Sequence, residues 1–156
     1  MTTRSPYPDW LFDDSPIDDP LGYGERAVTF LRRLRHPKST APCHALQLDK
    51  WQERIVRRIY EPRHANSNRT VKTVVLLLPR GNRKTSLAGA LSLLHTIGPE
   101  RRPGGEAIFA ASDRQQAGFG FREAAGIIRQ DARLVKATRI YDAHNSVKKI
   151  EFKLVT

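Results

Sequence analysis

Val74-Val75-Leu76-Leu77-Leu78-Pro79-Arg80-Gly81-Asn82-Arg83-Lys84-Thr85-Ser86 is the stretch on which the reading of this chain turns. An apolar run stops at a Pro-Arg-Gly-Asn turn, a Lys-Thr pair follows, and a helical pattern begins. Strand, tight loop, Lys-Thr and helix is the order of a phosphate-binding loop. The usual pattern, G-x-x-x-x-G-K-[ST], places glycine where this chain has Leu78 and Arg83. Gly81 and Asn82 tolerate the unusual backbone angles of such a turn. Lys84 can meet terminal phosphates as a point charge. The Thr85 hydroxyl can ligate the accompanying Mg2+, and Ser86 can add a phosphate contact. Taken alone, the loop is equally compatible with a basic β–α turn that caps a helix and binds no nucleotide.

Outward from the loop the pattern is α/β. Val71 to Leu78 and Ala107 to Ala111 are apolar runs suited to strands buried on both faces of a parallel sheet. A helix is expected from Thr85 to Ile97, with Leu87, Ala90, Leu91 and Leu94 inward. Another follows a Ser112 or Asp113 cap to about Gln130, with Ala117, Phe121, Ala124 and Ile128 inward. Upstream, Glu25 to about Arg35 and about Asp49 to Tyr60 have helical periodicity, and Pro62 ends the second. In that second helix Leu48, Gln52, Ile55 and Ile59 lie in line with Trp51 and Val56 beside them, while Arg54, Arg57 and Arg58 look outward. Ala137–Tyr141 and Val147–Val155 flank a polar turn and read as a β-hairpin.

Charge is the strongest compositional signal. The chain of 156 residues has a net charge of +11, yet residues 1–25 hold one base and six acids. The remaining body carries a net +16, which suits a polyanionic partner such as nucleic acid or nucleotide. Residues 1–24, with four prolines and five aspartates, read as an acidic, poorly ordered leader, and 25–156 as the folded part. One cysteine, Cys43, excludes an internal disulfide and a multi-cysteine zinc site. The five histidines lack metal-ligand spacing, which leaves them structural or solvated. No apolar run approaches the roughly 20 residues of a membrane span, and the early acids and prolines do not form a signal peptide.

Three stretches together resemble one family. Arg80 stands four residues before Lys84, Leu46-Gln47-Leu48-Asp49-Lys50-Trp51-Gln52 precedes the loop, and Ala110-Ala111-Ser112-Asp113-Arg114-Gln115-Gln116-Ala117 follows it. In this order they resemble the large subunit of tailed-phage terminases, ATP-driven DNA-packaging motors, from about Leu21 to Thr156. The resemblance implies a P-loop NTPase fold: a parallel sheet with flanking helices that ends here in a hairpin, an incomplete domain. It implies that Gln52 reads adenine, a task for which a side-chain amide is suited. Arg80, Gly81, Asn82, Lys84, Thr85 and Ser86 would hold ATP and Mg2+, with Arg80 acting in cis on the γ-phosphate and Thr85 on the metal.

The implied partners are double-stranded viral DNA, the terminase small subunit, the capsid portal and further copies of the motor, in the cytoplasm of a bacterial host. Two departures stand out. Arg83 replaces the glycine before the lysine, and no apolar run after Ser86 ends in an acidic pair. The second leaves out the acid that holds Mg2+ and the catalytic Glu, and the 156 residues are too few to include the family's nuclease, so a chain that hydrolyses ATP poorly or not at all is expected. Two other readings remain open: a non-enzymatic basic module for nucleic acid or a partner protein, and part of a helicase-like translocase.

Overall fold

The computed structural model describes residues 8–64, 66, 68–143 and 148–153. They form five α-helices: α1 (Tyr23–Arg33), α2 (Lys50–Tyr60), α3 (Lys84–Thr96), α4 (Arg114–Arg129) and α5 (Ala132–Ala137). One antiparallel pair, β1 (Thr138–Tyr141) and β2 (Lys149–Phe152), completes the regular structure. The chain divides into two compact units, one within residues 1–29 and 48–76, the other within 30–47 and 77–156.

In the first unit α2 is an amphipathic helix started by a capping box. Asp49 and Gln52 exchange side-chain and backbone hydrogen bonds across its first turn. Gln52, Val56 and Tyr60 recur every four residues and form its buried stripe; of the expected line Gln52 is buried, whereas Ile55 and Ile59 are half-buried. Arg54 does not look outward. It is buried, and its guanidinium donates to the Trp10 carbonyl, the Asp13 carboxylate (3.1 Å) and the Ser15 hydroxyl (3.0 Å). Those bonds hold residues 10–15 against α2, where Leu11 is buried at the end of a single 3-10 turn. Arg57 bonds Glu25 at 2.7 Å, and the Tyr23 ring lies under the Arg63 guanidinium. The acidic segment therefore meets the basic face of α2 through specific pairs.

The second unit is built on α3 and α4, whose packing supplies most of its core: Leu87, Leu93, Leu94, Phe121, Ile127 and Ile128. The two helices meet closely at Gly89, where a Cβ would stand 2.9 Å from Glu123 Cβ. Asp113 caps α4 by accepting from the Gln116 amide, as the sequence suggested. Asp131 caps α5, a six-residue helix, by accepting from the Arg133 amide. In the hairpin Thr138 faces Phe152 and Tyr141 faces Lys149. Val147, Leu154 and Val155, expected in its second strand, lie outside the described residues. Residues 34–46 double back on themselves, with Leu46 N donating to Leu34 O and His36 N to His44 O, both at 2.8 Å.

The expected parallel sheet is not formed among the described residues. Neither 71–78 nor 107–111 is a strand. Val75, Leu77 and Ile108 are 80%, 88% and 80% exposed, respectively. The physical reason is that a strand of this composition takes its stability from neighbours on its edges and faces, and the one described sheet consists of β1 and β2 alone. No helix among the described residues is long and apolar enough to cross a membrane.

Candidate functional site

The loop between Leu78 and α3 is defined by two backbone positions. Gly81 adopts φ of +90°, open to glycine at no cost. Arg83, the N-cap of α3, sits in the left-handed region at φ 49° and ψ 25°. For a residue with a side chain this conformation costs about 1–2 kcal/mol. The position thus has the backbone geometry that glycine would satisfy freely, and the sequence departure at Arg83 is a conformational one. The Arg83 guanidinium donates to the Gln47 carbonyl at 3.3 Å.

The loop is closed from within. The Lys84 ammonium donates to the Leu78 carbonyl at 3.0 Å, and the Asn82 amide donates to the Pro79 carbonyl at 3.4 Å. No side chain caps the first turn of α3, and that turn holds no acid. Its N–H groups and the positive end of the helix are therefore available to an anion. Arg80, Arg83, Lys84 and Thr85 are all exposed. Three cations, an uncapped helix start and an exposed hydroxyl make a donor set that fits a magnesium-bound polyphosphate.

Ser86 is placed differently from the rest. Its hydroxyl donates to Glu123 Oε2 at 2.8 Å, which uses its single proton on a neighbouring helix. The same carboxylate oxygen lies 2.7 Å from His36 Nε2, and Lys38 Nζ is 3.6 Å from Oε1. Burial pushes the Glu123 carboxyl up, but the hydrogen bonds from His36 and Ser86, with His36 and Lys38 nearby, hold it below the usual glutamate value. This cluster was not legible in sequence, because Glu123 is 37 positions from Ser86 and 87 from His36. The available signal was that Glu123 is the one acid of α4.

Gln52 belongs to the other unit. It is buried, and its Oε1 accepts from the Asp49 amide at 3.0 Å. The structure thus brings Arg80, Gly81, Asn82, Lys84, Thr85 and Ser86 together in one loop and helix start, and gives Gln52 a capping role of its own.

No protein-family model matches this chain, and no curated protein matches it. Among solved structures, the large terminase of bacteriophage HK97 superposes with a TM-score of 0.68 at 25% sequence identity. The match covers 83% of this chain and 25% of the HK97 protein, so the chain spans about a quarter of that relative's length. In its fold, this chain is similar to the large terminase of a bacteriophage.

Proposed function

We propose that the chain is the nucleotide-holding part of a terminase motor, and that it takes the phosphates of ATP, with Mg2+, on residues 78–85. The observation that supports this reading is the left-handed turn at Arg83, which presents Lys84 and an uncapped helix start within a cluster of cations, in a chain with a terminase-like fold. ATP would supply a γ-phosphate whose transfer to water drives translocation. The chain's own residues bind and orient. Arg80 and Lys84 oppose phosphate charge, Asn82 shapes the turn, the first-turn amides donate, and the Thr85 hydroxyl holds the metal. In the same reading 71–78 and 107–111, which are not strands in this structure, would pair as strands of a parallel sheet in the working motor, whose cargo is double-stranded viral DNA in a bacterial host, reached with a small subunit, a portal and further copies of the motor.

This chain binds nucleotide weakly and turns it over slowly. The phosphates must displace the Leu78 carbonyl from Lys84, and the sequence supplies no acidic strand end after Ser86. Calorimetric titration of the 156-residue chain with ATP-Mg tests the reading. Saturable binding that Lys84→Ala abolishes and Arg83→Gly strengthens is expected. Absence of binding at millimolar ATP-Mg overturns it, and salt-sensitive DNA binding without ATP binding would favour a basic nucleic-acid module instead.

A further inference from the structure

Glu123 joins three segments that are far apart in sequence. Both Ser86 Oγ and His36 Nε2 approach one oxygen, Oε2, and Lys38 faces the other. The roles are fixed by a third bond. His36 Nδ1 accepts from the Lys38 backbone amide at 3.2 Å, so the proton of the neutral ring sits on Nε2 and is donated to the carboxylate. His36 is only 7% exposed, and its backbone is held by the pairing of residues 34–46. On the other side, Ser86 follows Lys84 and Thr85 in the same helical turn. Close contact at Gly89, one turn further along, brings α4 near enough for the carboxylate to reach that turn.

A part-buried carboxylate is a costly way to pack two helices, since desolvation of its charge must be offset by donors. What it adds over an apolar contact is direction. The Ser86 hydroxyl has one proton and one acceptor for it, so the orientation of the first turn of α3 is read at Glu123 and, through it, at His36.

We propose that Glu123 is a positioning residue that couples the first turn of α3 to His36, so that phosphate bound on the loop is registered at the His36 ring. This rests on the reading of the loop as a phosphate site. When Lys84 leaves the Leu78 carbonyl for a phosphate, the turn that carries Ser86 shifts, and the Ser86–Glu123–His36 chain of bonds conveys the shift to the 34–46 segment.

The experiment uses the 156-residue chain labelled for NMR, with ATP-Mg as the probe and His36→Asn to assign the ring signals. The His36 imidazole resonances are expected to move with the same half-saturation as the Lys84 and Thr85 amides. In Ser86→Ala, ATP-Mg still binds, about tenfold more weakly as for loss of a bond to a charged group, and the His36 signals no longer respond. Glu123→Gln, which keeps the shape and both acceptor contacts, restores part of the response that Glu123→Ala loses. A bound chain whose His36 signals stay fixed, or respond unchanged in Ser86→Ala, overturns the coupling.

If ATP-Mg does not bind at all, the phosphate reading fails separately. Amide exchange in the nucleotide-free chain then decides the positioning role. Protection of the amides of residues 87–90, the first that α3 bonds internally, should fall about tenfold in Ser86→Ala, and unchanged protection there overturns the proposal.

Discussion

Val74–Leu78 and Leu87–Leu94 are neighbouring apolar stretches with opposite surroundings. In the first, Val75 and Leu77 are largely exposed; in the second, Leu93 and Leu94 are sealed from solvent. Side-chain hydrophobicity does not separate them. Backbone bonding does. A helix satisfies its own N–H and C=O groups and needs only one face to pack on, which α4 gives α3. A strand must find its backbone partners in other segments before its side chains can be covered. Local structure therefore completes itself at α3, and the run before the loop is left with its apolar surface in water.

The largest test of that contrast is a pair of substitutions. Leu94→Ala removes a fully buried side chain and should cost about 3 kcal/mol, whereas Leu77→Ala should cost less than about 0.5 kcal/mol. Urea unfolding of the two variants measures the difference, and similar losses would mean that Leu77 is covered in solution.

Gly89→Ala sharpens the buried side of the contrast. Its new methyl would stand 2.9 Å from Glu123 Cβ and 3.1 Å from the Ala124 amide nitrogen. Overpacking should outweigh alanine's better helix propensity, for a net loss of about 1–2 kcal/mol. A more stable variant would show that α3 and α4 can separate freely.

In the other unit, Gln52 is a polar residue as buried as Leu93 of α3. If its main work is to cap α2, Gln52→Ala should lower stability by about 1 kcal/mol in a thermal melt. A stability unchanged by this substitution would argue against the capping role.

The smallest effect separates charge from packing just beyond α4. Hydrogen bonds from Arg133 outweigh burial and hold the Asp131 carboxyl at about 2. Its folded value lies below the unfolded one of about 3.9. The stabilisation is therefore complete above about pH 4 and is lost as pH falls through about 2. Asp131→Asn should be less stable than the parent at neutral pH, with the gap narrowing over that window in pH-dependent melts. A constant gap would assign the effect to packing.

What could be read in the sequence follows the same division. The bounds of α1 to α4 lie within a few residues of the periodic pattern, because each pattern and cap is local; Asp113 and Asp49 mark helix starts in both. The loop's order was legible too, and so was the departure at Arg83. Which face of α2 turned inward was not, since the partners of Arg54 come from residues 10–15, some forty positions away. The Glu123 cluster is a further case: nothing adjacent to Ser86 or His36 announces a shared carboxylate. Composition identified 74–78 as apolar but could not say whether anything would cover it.

Arg83 carries a consequence for how this chain can change. At a left-handed position nearly every replacement keeps the same backbone penalty, so exchanging the arginine for another ordinary side chain gives up the bond to Gln47 and relieves nothing. Glycine alone removes the penalty outright. The loop therefore stands a single residue type away from a fully relaxed backbone, with asparagine and aspartate as the partial steps toward it.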